Sequence, residues 1–312
     1  MNLNPNDYIG QVMRGSKFKI KFGNDFYKIL NNDLTHYNYK YVDGLNICPD
    51  IFNPIEECCS GGLYFTASDK FLMHVTKKSK FIVKIKILDD SYIYIEENKF
   101  KANKFSINLN AKCLISEFEK WSDYKFCKSM IKSYPTALKY INDQTPYLCE
   151  LAIAYNASTL EYVQNQTSEL CELAVVRNSM ALKYVHNQTP YLCELAIRCN
   201  PTALKYVRNQ TLDLCELAIR CNPRTLEFVN YQTFELCELA VRSNFSTLIY
   251  VQDQTFELCK LAIESDPFAL IYVRNQTIEL CELAIKLDHK ALAYIRNLSI
   301  KDKMMNLIDQ LK

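Results

Sequence analysis

The sequence predicts a mainly α protein: an α/α solenoid of eight 22-residue helical-hairpin repeats, preceded by a smaller β-rich (α+β) amino-terminal domain. Three observations predict it. The pair Gln-Thr recurs with its Thr at Thr145, Thr167, Thr189, Thr211, Thr233, Thr255 and Thr277, always 22 residues apart. Within each unit the apolar residues fall at helical spacing. Before about residue 110 the apolar pattern changes to period two. The expected organisation is a β-rich domain over 1–110, a linking helix over 111–122, eight repeats over 123–298 and a carboxy-terminal capping helix over 299–312.

Each repeat reads as two short helices. Thr is the N-cap of the first, since its hydroxyl can accept a hydrogen bond from a free helical N–H. Pro146 and Pro190 follow at the first helical position, where a missing N–H costs nothing. Apolar residues then sit three, four, six, seven and eight places after Thr, as in Leu214, Cys215, Leu217, Ala218 and Ile219. Asn or Asp recurs at the eleventh place, from Asn156 to Asp288, with Pro201, Pro223 and Pro267 directly after it, a second N-cap. The second helix repeats a small residue, Leu, an aromatic and a β-branched residue, as in Ala203, Leu204, Tyr206 and Val207. Asp123 opens a degenerate first unit, as befits the end of an array. The tail SIKDKMMNLIDQLK keeps phase through Met305 and Leu307 and reads as a closing half-unit.

Charge supports the first helix. Glu194 and Arg198, Glu216 and Arg220, Glu238 and Arg242, and Glu282 and Lys286 stand four apart, and at Lys260 and Glu264 both signs exchange together. A leucine-rich repeat with one strand per unit is the rival reading. It would put Lys205 and Val207 on one face. Yet the sixteenth place varies freely (Lys183, Lys205, Glu227, Ile249, Ile271, Ala293), while the eighteenth is always Val or Ile. Helix pairs this short do not stand alone, so stability is expected from stacking on neighbours.

In the amino-terminal part, strands are expected at KFKIKF (17–22), FYKIL, GLYFT, FIVKIKIL (81–88) and SYIYIEE (91–97). Turn signals such as Gly23-Asn24, Asp43-Gly44, Gly61-Gly62 and Asp89-Asp90 separate them.

Composition excludes several classes. The 312 residues are 49% hydrophobic and 23% charged, with net charge +2, 6 Gly and 9 Pro. That fits a chain with large cores and argues against disorder and collagen-like repeats. Near-neutral charge gives no case for nucleic acid or an anionic membrane, and no apolar run reaches the ~20 residues that span a bilayer. The amino terminus lacks a signal-peptide layout, so an intracellular protein is expected. Of fourteen Cys, eight (Cys127 to Cys281 in steps of 22) share one repeat position and read as small buried residues, not disulfides or metal ligands. The Asn-Gln-Thr triplets at Asn165, Asn187, Asn209 and Asn275 read as helix ends, not glycosylation sites. Cys48, Cys58, Cys59 and His74 lack the paired spacing of a zinc site, and Lys84 and Lys86, alternating with Ile85 and Ile87, read as the solvated face of a strand. No P-loop or dinucleotide fingerprint is present, so no cofactor, metal or catalytic residue is expected.

Two resemblances can be stated on these residues. The LCELAIRCNPTALKYVRNQT units resemble the helical repeats of uncharacterised giant-virus proteins of the DUF4116 type. The stretches FYKILNNDLTHYNYKYVDGLN, CSGGLYFT and YIYIEENKFKANKF resemble the amino-terminal region of mimivirus-type ankyrin-repeat proteins. Together they imply a shared head on interchangeable arrays, expressed in an infected amoeba, with no assigned activity. DGLNI followed by SGGLYFT is also similar to ADP-ribosyltransferases. That likeness implies Tyr64 stacking on nicotinamide and a catalytic Glu, for which Glu96 or Glu97 is the candidate, but Lys28 stands where the family carries His-Gly.

The function expected is a non-enzymatic interaction scaffold or adaptor in the host cytoplasm. Its array would bind a host or viral protein, with no nucleic-acid or membrane partner. The candidate binding patch is the apolar stripe Phe234, Phe245, Ile249, Phe256, Phe268, Ile271 and Ile278, where the expected exposed positions turn apolar toward the carboxyl half. The alternatives are a degenerate or active ADP-ribosyltransferase-like head, and a self-associating structural component.

Overall fold

The structure is a computed structural model and describes residues 5–36, 39–54 and 61–311. The chain divides into two compact units, Met1–Tyr155 and Asn156–Lys312.

The first unit is built on β1 (Val12–Arg14), α1 (Gly15–Phe22), β2 (Phe26–Asn31), β3 (Thr35–His36), β4 (Tyr39–Lys40), β5 (Gly44–Ile47), β6 (Leu63–Ala67), β7 (Ser79–Lys86), β8 (Tyr92–Ile95), β9 (Phe100–Ala102), β10 (Lys104–Ile107) and β11 (Cys113–Leu114). Among the described residues, nine strands form one sheet in the order β1-β8-β9-β6-β2-β7-β10-β5, with β11 on β7; β3 and β4 form a separate pair. Every described pairing is antiparallel. Phe26 and Leu30 of β2, Phe65 of β6, Ile93 and Ile95 of β8 and Phe100 of β9 share one apolar core. Lys84 and Lys86 are exposed while Ile85 and Ile87 are buried, the alternation that the sequence predicts.

Two expectations are corrected here. KFKIKF is the helix α1, not a strand. A strand would place Phe18, Ile20 and Phe22 on one face. Instead Phe18 is buried and its ring meets Phe22 at 4.9 Å, four residues on, while Ile20 is 88% exposed. Gly23, at φ +78°, ends the helix, and its N–H donates to the Lys19 carbonyl at 2.8 Å. The stretch 111–122 is not one linking helix. It holds β11 and two single turns of 3-10 helix, Ile115–Glu117 and Glu119–Ser122. Ile115, Phe118 and Trp121 fall three apart, which suits three residues per turn, and all three are buried. The Trp121 indole donates to the Ile115 carbonyl at 2.7 Å. The first repeat helices, α2 (Tyr124–Ser133) and α3 (Pro146–Tyr155), complete this unit.

The second unit is a helical-repeat stack. Its ten-residue helices are α4 (Ser168–Arg177), α5 (Pro190–Cys199), α6 (Leu212–Cys221), α7 (Phe234–Ser243), α8 (Phe256–Ser265) and α9 (Ile278–Leu287), closed by α10 (Leu298–Leu311). No strand occurs among its described residues, which removes the leucine-rich-repeat reading. Thr caps each first helix; the Thr211 hydroxyl accepts from the Leu214 N–H at 3.4 Å. Asn or Asp caps each second; Asn222 Oδ1 accepts from the Arg224 N–H at 3.1 Å.

The second helix differs from expectation in kind. It is a six-residue 3-10 helix, as in Pro201–Tyr206, not an α-helix. Leu204 and Val207, three apart, then share one face and both are buried beside Ala203. Such a helix is intrinsically weak, so it persists through this packing. The ion pairs form as the charge pattern predicts, including the inverted Lys260–Glu264 at 3.7 Å. At the carboxyl end α10 starts at Leu298, and Asn297 caps it by accepting from Ser299 and Ile300. That start turns Met304 inward and leaves Met305 exposed, against the expected phase; the side chain of Leu307 lies outside the described residues.

Candidate functional site

The repeated Gln before each Thr has a structural task that the sequence pattern left open. Gln210 Nε2 donates to the Leu204 carbonyl of its own repeat at 3.1 Å and to the Phe228 carbonyl of the next at 2.9 Å. Its Oε1 accepts from the Asn230 N–H at 2.9 Å. The same three bonds recur at Gln166, Gln188, Gln232, Gln254 and Gln276. They satisfy the turn backbone left over when a short helix ends. The repeated Cys sits against this ladder. The Sγ of Cys171, Cys215 and Cys237 lies 3.6–3.9 Å from the Oε1 of the Gln five residues before it, a weak S–H donor to an amide oxygen. Burial pushes the thiols of Cys237, Cys259 and Cys281 up to about 11. All twelve described cysteines are free.

With the seam held from inside, the outer places are open to vary. The sixteenth place is exposed in every described repeat, and Ile249 and Ile271 there are 50% and 47% exposed. The Arg274 guanidinium donates to the Ile249 carbonyl at 3.2 Å and that of Arg296 to the Ile271 carbonyl at 3.1 Å, so a cation flanks each isoleucine. Phe234, Phe256 and Ile278, at the first position of their helices, are also exposed. Phe245 and Phe268 are different. They are half-buried, with their rings 6.4 Å from Tyr272 and 5.6 Å from Tyr294 in the following repeat. The apolar stripe thus separates into exposed positions and seam positions. Leu212, in phase with Phe234 and exposed beside the Glu216–Arg220 pair, belongs with the exposed set. Its position in the repeat was the signal that would have found it.

The first unit carries a cleft of about 290 Å³. β2 and β6 pair only through Phe26 with Ala67 and Tyr27 with Thr66, and then part. Lys28, the next residue of β2, is buried, and its ammonium donates to the Tyr64 carbonyl at 2.8 Å in place of a ladder N–H. It also lies 3.0 Å from His36 Nδ1. Tyr64 and His36 line this cleft with Lys28, His74 and Lys99. Burial, then the charge of Lys99, lowers Lys28 to about 7. Burial, then Lys28, lowers His36 to about 3. Glu96 is buried with its carboxylate 3.4 Å from the Lys99 ammonium, and Glu97 is exposed. Sequence reasoning named Tyr64, Glu96 and Lys28 one by one but not their meeting with His36 and Lys99, because the parting of two strands is not written in either strand.

Among the described residues no group of three His, Cys, Asp or Glu is placed to hold a metal, and no helix is long and apolar enough to cross a membrane. Cys58 and Cys59 lie outside the described residues.

The fold and the exposed row define a helical-repeat protein with a β-sheet head. Among known proteins the chain is similar to an ankyrin repeat protein of Acanthamoeba polyphaga mimivirus, 35% identical over 78 residues, 24% of this chain and 35% of the relative. The chain thus matches about a third of the length of that curated relative. No family model and no solved structure matches the chain.

Proposed function

We propose that the chain is a non-catalytic protein–protein interaction scaffold or adaptor. Its repeats would take a host or viral protein inside the infected cell. One observation carries this: the sixteenth place faces solvent in every described repeat and bears Ile249 and Ile271 in successive units. A surface whose residues vary without disturbing the Gln ladder is what an interchangeable recognition array requires. Similarity to part of a protein bearing a different repeat supports the modular layout. The pattern LCELAIRCNPTALKYVRNQT supports assigning the units to the DUF4116 type.

Two features speak against ADP-ribosyltransferase chemistry in the head. Lys28 occupies the place where that likeness needs His-Gly, and Glu96 is buried against Lys99. The test is partner capture by the full chain and by an Ile249→Lys/Ile271→Lys double variant. Capture of the chain by itself would favour a self-associating structural component instead.

A further inference from the structure

The later repeats carry a second exposed apolar row, on other elements than Ile249 and Ile271. Leu212, Phe234, Phe256 and Ile278 are the first residues of α6, α7, α8 and α9, with exposures from 39% for Ile278 to 57% for Leu212. Starting the helix does not require an apolar side chain there. Pro146, Ser168 and Pro190 hold the same place in α3, α4 and α5. Four large apolar side chains facing solvent in four successive repeats form a surface suited to cover by another molecule.

The charges beside this row have one sign left over. The residue after each apolar one is acidic and exposed: Asp213, Glu235, Glu257 and Glu279. The other charges on these helices close on one another, as Glu216–Arg220, Glu238–Arg242, Lys260–Glu264 and Glu282–Lys286. One carboxylate per helix is therefore uncompensated on its own helix. An acid in the first turn suits the helix dipole, but the dipole gives no reason for the apolar side chain next to it. Between α6 and α7 the surface dips into a groove of about 320 Å³, whose lining includes Leu212, Leu239 and Glu235. Ile249 and Ile271 are flanked instead by Arg274 and Arg296. The two rows thus differ in the sign of the charge that borders them, and one partner segment does not suit both.

We propose that the row on α6–α9 docks a basic amphipathic helix of the partner protein. This rests on the scaffold reading above and names the chemistry of what is bound. The apolar side of the bound helix meets Leu212, Phe234, Phe256 and Ile278. Its Lys or Arg side chains meet the carboxylates of Asp213, Glu235, Glu257 and Glu279. The spacing agrees. Packed helices lie about 8–10 Å apart, and every seventh residue of an α-helix, on one face, advances about 10.5 Å along its axis. One apolar contact and one ion pair per repeat then correspond to two turns of the bound helix. Such exposed ion pairs are screened by salt, so the attraction weakens as ionic strength rises.

The experiment is fluorescence anisotropy of three labelled helical peptides titrated with the full chain. Each is roughly 18 residues, about 27 Å, enough to cross four packed helices. One is an amphipathic Leu/Lys helix, one has Glu for Lys, and one has Gln for Leu. The Leu/Lys peptide is expected to bind saturably, one per chain, and less tightly at higher salt. The Leu/Glu peptide should not bind, and the Gln/Lys peptide should bind at least about tenfold more weakly. Glu235→Lys/Glu257→Lys and Phe234→Ser/Phe256→Ser should each weaken the Leu/Lys peptide by roughly tenfold or more. Asp69→Lys/Asp143→Lys, the same change of charge at exposed places in the first unit, should stay within about twofold of the parent. Should the serine variant fail to fold, Leu212→Ser, at the most exposed place of the row, carries the apolar comparison. Absence of saturable Leu/Lys binding, equal binding of Leu/Glu, unchanged affinity in the serine variant, or an equal loss in Asp69→Lys/Asp143→Lys would each overturn the assignment. Capture of a lysate protein through Ile249 and Ile271 is read separately, so failure of the peptide with that capture intact removes the basic helix alone.

Discussion

Gln232 joins two repeats by reaching Tyr250: its Nε2 donates to the Tyr250 carbonyl at 3.0 Å while also donating to Leu226 of its own repeat at 3.0 Å. Its Oε1 accepts from the Gln252 N–H at 2.8 Å. One side chain therefore satisfies three backbone groups on both sides of a seam. Gln232→Leu should cost about 2–4 kcal/mol, since it leaves several polar groups without partners. Thr233→Ala, which removes only a cap, should cost about 1 kcal/mol. Urea unfolding followed by circular dichroism checks the order; equal costs would show that the ladder adds nothing beyond ordinary turn bonding.

The stripe should split by mutation as it does in space. Phe245→Ala and Phe268→Ala remove rings packed on Tyr272 and Tyr294, and each is expected to cost about 1–3 kcal/mol. Ile249→Lys and Ile271→Lys, at exposed places, should stay within about 0.5 kcal/mol of the parent. Thermal melts of the four variants test the division.

Thiol reactivity should follow the seam. Cys199 and Cys221 are exposed, whereas Cys237, Cys259 and Cys281 are buried and held near 11, so little thiolate exists there at pH 8. Brief iodoacetamide treatment followed by peptide mapping should label Cys199 and Cys221 well ahead of those three. Equal labelling would mean that the stack opens readily.

Stability should depend on pH through the cleft. The folded chain holds His36 near 3 and Lys28 near 7, against ordinary values of 6.5 and 10.5. Between each folded and unfolded value the unfolded chain binds more protons, so stability rises with pH over both windows. The thiols held near 11 act oppositely above their ordinary 9, because the folded chain keeps protons that the unfolded chain sheds. Trp121, the single tryptophan, lies in the first unit and reports its unfolding. The unfolding free energy should climb up to about pH 6.5 and again from 7 to 9. Lys28→Met should remove the second rise; its persistence would assign it to another group.

The repeat array was legible because its signals are local and reiterated. Thr211 and Asn222 announce two caps per unit, and Glu238 with Arg242 fixes a helical face. What the pattern did not reveal was the use of Gln232, whose partners lie 18 and 20 residues away and are backbone atoms, which leave no mark in side-chain periodicity. KFKIKF misled because Lys and apolar residues in strict alternation also place Phe18 and Phe22 one helical turn apart; the docking of Phe18 into the sheet core decides between the two. The cleft was only half visible. Tyr64 and Lys28 drew notice one by one, but their meeting depends on the short β2–β6 ladder, a tertiary feature.

The most direct test of the interaction role uses the full chain and the Ile249→Lys/Ile271→Lys double variant as baits in Acanthamoeba lysate, with matched thermal unfolding and quantitative mass spectrometry. The account predicts a protein held by the parent and depleted from the variant while both stay folded. Identical captured sets, or loss of the folded state in the variant, would contradict it.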